Sequence, residues 1–336
     1  MYLTHFVHAF SQQTLKLRLE YEIAVAQSFA QNYFAPCLRL CVWLNVRVKS
    51  QHNMTSYSVA YQGEPGAWGE QAVFDLFAQR GVPAPRQTFD AVFDDVASAA
   101  CDFGVVPLEN SLGGAIHRNY DLLMRHSLHV VGEVIVPIHW CLITQPSAKL
   151  EDIRVVMSHW QALAQCERTL GRVLPAAQRR EVYDTAGSVK MLKESGAQDT
   201  AALAGRRAAQ LYAMPVLMEG LEDEQTNFTR FALLSRQTAL PAGLQRDGAE
   251  YKTSIVFTVK HIPGSLFRAL AAFSLRDIDL AKIESRPLQS APWEYLFYVD
   301  FAGRAEDANC ARALSHLSEM TTTLRVLGSY PKSIVN

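Results

Sequence analysis

The sequence predicts an α/β protein in two parts: a larger, two-lobed region built on parallel sheets and, after a linker, a smaller α+β unit. Three observations predict this. From residue 57 onward, short apolar strands alternate with helical stretches, the order that builds parallel sheets covered by helices. Residues 235–250, with Gln237, Pro241, Gly243 and Gly248, have the composition of a linker. Beyond them the order becomes strand, helix, strand, strand, helix, strand, the split βαβ arrangement.

Residues 1–53 stand apart. Leu15, Leu19, Ile23 and Ala26 recur at helical spacing within residues 12–31, but nothing in this stretch continues into the pattern that follows. Met54 directly precedes the first strand, and the family resemblance given below implies a domain that begins within a few residues of it, so translation is expected to start there, with residues 1–53 as upstream sequence; a genuine helical or targeting extension is the alternative. Residues 57–61 form a strand, Gly63 to Gly66 a turn, and residues 70–80 a helix with Ala72, Val73, Leu76 and Phe77 on one face. Further strands are expected at 103–107, 129–135, 141–144 and 155–158, with helices at 119–125, 161–170, 186–194 and 206–212. Two lobes, 57–135 and 136–215, with residues 215–234 returning to the first, leave a cleft between them. Ligands in open α/β sheets sit beyond the carboxyl ends of strands, so the loops after Tyr61, Pro107 and Ser158 are expected to face it. In the C-terminal unit, strands are expected at 254–259, 280–284, 294–301 and 323–330, with helices at 265–274 and 305–319.

Composition bounds the partners. The 336 residues are 49% hydrophobic and carry 32 basic against 33 acidic side chains, a net charge of −1. No global field draws such a chain to nucleic acid or to an anionic membrane, which points to a small molecule or a second copy as partner. No stretch approaches the ~18 consecutive apolar residues of a membrane span, and the apolar run at 35–46 lies too far in to act as a secretory signal. The six cysteines show no metal-site spacing and read as reduced, part-buried thiols of a cytoplasmic protein. No metal or other cofactor is expected.

The most informative segment is NFTRF at 227–231, which places an amide, a hydroxyl and a guanidinium within four residues. Those groups can donate hydrogen bonds and hold carboxylates without a metal. Arg230 offers a planar, bidentate fork for a carboxylate; a structural salt bridge with Glu109, Asp223 or Glu224 is its other reading. Asn110 and Ser111 follow a strand and precede Gly113 and Gly114, where bare backbone lets amides approach an anion; a plain surface turn explains the same residues. Ser158 stands at a strand-to-helix junction as an N-cap, with Gln161 and Gln165 one turn apart on the helix behind it.

Together, YQGEPGAW at 61–68, VPLENSLGG at 106–114, SHWQALAQC at 158–166 and NFTRF resemble the prephenate dehydratase family in order and spacing. The resemblance covers roughly residues 57–331. It implies a two-lobed, periplasmic-binding-protein-like catalytic domain at 57–236 and a ferredoxin-like ACT domain at 251–331. The implied reaction removes water and carbon dioxide from prephenate to give phenylpyruvate, without a cofactor. Thr229 matches the family's threonine and is the expected donor to the departing hydroxyl; capping or closing a strand is its alternative role. The implied substrate contacts are Asn110, Ser111, Gly113, Gly114, Ser158, Gln161, Gln165, Thr185 and Arg230, with Glu109 as a partner for Arg230. Trp160 stands where proline is usual, and its ring is expected to narrow the cleft. DTAGS at 184–188 resembles the branch that includes arogenate dehydratases, where it opens a helix lining the site; capping by Thr185 is equally compatible.

ESRP at 284–287 and PGSL at 263–266 resemble the two segments that, in this family, bind phenylalanine between paired ACT domains. The effector residues so implied are Gly264, Ser265, Leu266, Glu284, Ser285, Arg286 and Pro287. A homodimer is then the minimum assembly and a homotetramer is compatible. Two other readings are an arogenate dehydratase, performing the same elimination on the aminated substrate, and a non-catalytic amino-acid sensor.

Overall fold

The protein is described here by a computed structural model covering residues 55–241, 244, 248–288 and 294–333. The expected helix at 12–31, the expected start at Met54 and Gly243 of the linker lie outside the described residues.

The chain opens with β1 (Tyr57–Gln62), α1 (Trp68–Phe77), β2 (Gly81–Arg86), α2 (Phe89–Ala97), β3 (Phe103–Asn110), the short β4 (Gly114–Ala115), α3 (His117–Arg125) and β5 (His129–Pro137). It crosses into a second lobe made of β6 (Cys141–Ile143), β7 (Val155–Ser158), α4 (Trp160–Gln165), α5 (Glu167–Val173), β8 (Gln178–Glu181), α6 (Thr185–Ser195), β9 (Thr200–Ala204), α7 (Arg206–Tyr212) and β10 (Val216–Glu219). It then returns to the first lobe as β11 (Phe228–Ser235). The first sheet has the order β2-β1-β3-β11-β5, with β4 on β3; the second is β10-β6-β9-β7-β8. Each contains a parallel trio, β2-β1-β3 and β9-β7-β8, while β11, β6 and β10 pair antiparallel. The expectation of parallel sheets therefore holds for the cores of both lobes and not for the strands near the crossings, because a chain that leaves and re-enters a lobe brings its strands back reversed.

Strand β2 has no readable apolar alternation, since it carries Pro83 and Pro85. Two positions apart, their nitrogens point to the same side of the strand, and on an edge strand that side needs no donors. The expected helix over 161–170 is two helices that meet at Cys166 (φ −119°, ψ 9°). Asp223, distant in sequence, accepts the Arg168 and Thr169 amides at 2.9 and 2.8 Å and so satisfies the start of α5.

The C-terminal unit is β12 (Tyr251–Val259), α8 (Ser265–Ser274), β13 (Leu280–Pro287), β14 (Tyr295–Ala302), α9 (Ala308–Met320) and β15 (Thr321–Pro331), in the antiparallel order β13-β14-β12-β15. Its helices cover one face through Phe257, Phe273, Phe301 and Leu317. The other face packs on the first lobe, where Val256, Leu296, Tyr298 and Leu327 share a core with Leu108, Tyr120, Leu123 and Val130. Arg325 donates to the carbonyls of Leu123, His126 and Leu128 at 2.9, 2.9 and 2.7 Å, capping the end of α3. Gly328 lies so close to β5 that a Cβ there would fall 1.9 Å from the Val130 carbonyl oxygen. Only glycine permits that approach. Among the described residues, no helix is long and apolar enough to cross a membrane.

Candidate active site

The cleft between the lobes has a volume of about 620 Å³ and is lined from both sides by the loops expected from the sequence, including Gln62, Ala67 and Trp68 after β1, Asn110, Gly113 and Gly114 after β3, and His159, Gln161 and Gln165 after β7. Thr229 and Phe231 line it from β11, and Asp184 and Thr185 from the start of α6.

Local strand geometry decides which side chains reach it. Thr229 pairs with Asn110 and Arg230 with Glu109, and the register then shifts so that Phe231 pairs with Pro107. Strict alternation from Val105 and Pro107, which line the cleft, would turn Asn110 to the far face. The extra residue of this bulge resets the alternation, and Asn110 joins Thr229 on the cleft side.

A polar network then fixes the orientation of each group. The Trp140 indole N–H, which can only donate, holds Gln165 Oε1 at 3.0 Å, and Asn227 Nδ2 donates to the same oxygen at 2.9 Å. At the other end, the Leu112 and Gly113 amides donate to Asn110 Oδ1 at 3.1 and 2.7 Å. Asn110 Nδ2 therefore points to Asn227 Oδ1 (2.8 Å) and Thr229 Oγ1 (3.0 Å). Since Thr229 Oγ1 accepts from an N–H, its own proton is free to be donated, and the Gln165 Nε2 protons are likewise directed away from the network. Asn227, 1% exposed, shapes the site from within. Trp140 was missed: it lies at the crossing between lobes, in no motif, and only the tertiary structure brings its N–H to Gln165.

Among the described residues that line the cleft, none is lysine or arginine. Helix N-termini face the site instead: those of α1, α2 and α6, whose first residues line it, and that of α4, which contributes His159 and Gln161. His159, whose pKa burial lowers below 6.5, accepts the Gln161 amide at 3.3 Å and serves as the N-cap of α4. Asp184 caps α6 by accepting the Gly187 amide at 2.7 Å.

Several expected contacts lie elsewhere. Arg230 does not reach the cleft: one residue on from Thr229, it faces the opposite side of the sheet. There it meets Asp300 (2.9 Å), Glu109 (3.4 Å) and Glu133 (3.4 Å). Burial disfavours its charge, but Asp300 and the neighbouring acidic groups outweigh that and hold it protonated. Lys252 joins Glu133 at 2.6 Å and Lys282 joins Glu109 at 2.9 Å, so the cluster ties the first lobe to the C-terminal sheet. Asp223 and Glu224, the other acids considered for Arg230, hold Arg168 instead. Ser158 is not the cap of α4; its hydroxyl is buried and donates to the Leu203 carbonyl at 2.6 Å. Ser111 donates to the Thr226 carbonyl (2.6 Å) and accepts the Phe228 amide (2.9 Å), which anchors the β3 loop rather than presenting a hydroxyl to the cleft. Trp160 is 55% exposed and lies tilted against His159 outside the cleft, so it does not narrow it. Cys166 is packing, its thiol pKa pushed up by burial.

In the C-terminal unit, Gly264, Ser265 and Leu266 line a second pocket of about 220 Å³ with Tyr295 and Phe297. Glu284 and Arg286 turn toward the first lobe, to His117 (3.1 Å) and Asp121 (3.2 Å), while Ser285 and Pro287 are exposed. The two segments do not line one pocket within a single chain.

The family model for prephenate dehydratase matches residues 59–239. The arogenate dehydratase/prephenate dehydratase 2 of Arabidopsis thaliana, a chloroplastic protein, is 44% identical over 300 residues, 85% of this chain and 76% of its own. The prephenate dehydratase of Arthrobacter aurescens, solved in complex with L-Phe, superposes with a TM-score of 0.74 at 32% identity, over 82% of this chain and 90% of that one. A structure described as GqqA, a novel type of quorum quenching acylase, gives 0.73 at 31% identity, over 82% and 98%. With the fold, the cleft and these likenesses in agreement, the chain belongs to the prephenate dehydratase family.

Proposed function

We propose that the cleft carries out a decarboxylating dehydration of prephenate, giving phenylpyruvate, or of its amino counterpart arogenate, giving phenylalanine. The observation that carries this reading is the oriented network, which leaves the Thr229 hydroxyl proton and the Gln165 amide protons as donors in a cleft faced by helix N-termini. In the reaction the ring carboxylate leaves as carbon dioxide, its bonding electrons aromatise the ring, and the ring hydroxyl departs with its C–O bonding pair and takes up a proton from solvent to become water. Loss of hydroxide is the difficult part. Thr229 is too weak an acid to ionise, so its contribution is a placed hydrogen bond that strengthens as charge develops on the leaving oxygen. Asn110, by donating to Thr229 Oγ1, makes that proton more acidic and aims it. Gln161, Gln165, Thr185 and the backbone at Gly113 and Gly114 are the proposed partners of the substrate carboxylates.

Amide hydrolysis, raised by the acylase-like relative, needs a nucleophile beside a base. The partner of Thr229 Oγ1 is the Asn110 N–H, which cannot accept a proton, so this cleft favours elimination.

The proposed domain division is a catalytic part at 57–236 and an ACT regulatory part at 251–331. Phenylalanine is the proposed effector, bound where the Gly264 pocket of one chain meets the Glu284 strand of another, which makes a homodimer the smallest competent assembly and a homotetramer the larger option. The four described cysteines are buried and free, consistent with a reducing compartment such as the cytoplasm.

The test is turnover of prephenate and arogenate side by side with wild type and Thr229→Val. The variant keeps shape and loses the proton, and a fall of about 10²- to 10⁴-fold in kcat is expected with binding retained. No turnover of either substrate by the wild type would move the reading to the sensor.

A further inference from the structure

We infer that Asp184 is a specificity-determining residue that accepts a hydrogen bond from the ammonium group of an α-amino acid substrate, so that this cleft takes arogenate in preference to prephenate. The inference rests on the dehydratase reading of the same cleft and names its substrate.

Among the described residues lining the cleft, two are carboxylates, Asp90 and Asp184. Asp90 is already paired with Arg118 at 2.5 Å. Asp184 forms no ion pair with a lysine or arginine among the described residues: Lys190, on the same helix, is held by Glu64 at 3.2 Å. The charged or titratable groups around Asp184 are His159, Glu64 and the phenols of Tyr61, Tyr183 and Tyr212, and burial lowers the His159 pKa, which favours its neutral form.

The geometry leaves one oxygen available. Oδ1 accepts the Gly187 amide, while Oδ2 looks across the cleft toward the β1–α1 turn of the first lobe. That turn is bare at Gly63 (φ +120°), where a Cβ would stand 3.2 Å from Oδ2. A side chain at position 63 would press on Oδ2, and glycine there leaves that oxygen uncovered on its cleft side.

A cap alone does not account for the carboxylate. Asparagine, serine and threonine cap a helix about as well as aspartate and bring no charge. Here burial, opposed by the Gly187 amide and reinforced by Glu64, raises the pKa above its ordinary value. A carboxylate so placed repels a substrate that carries two carboxylates and nothing else. It is matched by one that adds an ammonium, the single feature separating arogenate from prephenate. The ammonium keeps its protons throughout the elimination, so Asp184 binds and orients and takes no part in bond breaking.

The experiment compares kcat/KM for arogenate with that for prephenate in wild type, Asp184→Asn and Asp184→Ser, both of which retain a capping acceptor. Where prephenate is not turned over, its competitive inhibition constant replaces its kcat/KM. The expected result is a wild type that prefers arogenate, with the arogenate-to-prephenate ratio falling about tenfold to a hundredfold in both variants. A wild type that uses prephenate alone, or variants that change both substrates equally, would overturn the inference and leave the dehydratase standing. A wild type that turns over neither substrate would overturn the dehydratase reading itself, and this inference with it.

Discussion

Replacing Arg230 with methionine separates the two roles that this residue can have. In the structure its guanidinium lies among Glu109, Glu133 and Asp300, and the cluster is balanced by Lys252 and Lys282. The Glu133 side chain is 2% exposed and that of Asp300 10%, so the charges are largely out of water. In Arg230→Met, three carboxylates face two lysines. Removing one partner of a buried ionic cluster costs about 3–5 kcal/mol. At roughly 2 °C per kcal/mol for a domain of this size, Tm falls about 6–10 °C. The assay is thermal unfolding followed by circular dichroism, with KM measured in parallel well below Tm. Arg230→Met/Asp300→Asn removes both charges of the 2.9 Å pair, so it should lose less than the sum of its single variants. A guanidinium that clamps substrate gives the opposite pattern, with KM rising about tenfold or more through lost charge-assisted hydrogen bonds and Tm unchanged. Unchanged Tm with raised KM would refute the placement of Arg230.

Two further predictions follow from the cleft. Trp140→Phe removes the donor that fixes the Gln165 amide; kcat/KM should fall by about two- to twelvefold, since a net hydrogen bond contributes about 0.5–1.5 kcal/mol, and Tm should fall as well because the smaller ring leaves a gap at a buried position. For Asp184, the folded-state pKa is raised, chiefly by burial, above the ordinary 3.8. The stability it contributes is then fully present below that ordinary value and is lost as pH rises through the raised one. Asp184→Asn should therefore have nearly the wild-type Tm at about pH 4 and a higher Tm at about pH 7, as measured by melts across that range. A variant less stable at neutral pH would contradict the direction of the shift.

Much of this molecule was legible in one dimension. The alternation of strand and helix, the two lobes, the split βαβ unit and the three loops at the cleft follow from apolar periodicity and turn residues, which act over a few positions and need no partner. Thr229, Asn110, Gln161 and Gln165 were legible because their residue types and spacing match a family. What failed was orientation. The Arg230 fork suits a substrate carboxylate, yet neighbours on a strand face opposite sides, so it takes the alternative role of a salt bridge with Glu109, and His159 rather than Ser158 holds the cap. Whether Asn110 faces the cleft depends on a bulge that exists only once β3 and β11 are paired.

The sequence by itself determined most of the elements, their order and the chemical groups available to the site. Tertiary structure alone decided which groups meet: Trp140 with Gln165, Asp223 with the start of α5, and Arg230 with Asp300, 70 residues away. The physical reason is range. Periodicity and capping are written locally, whereas register, burial and charge pairing depend on segments that become neighbours only when the sheets assemble.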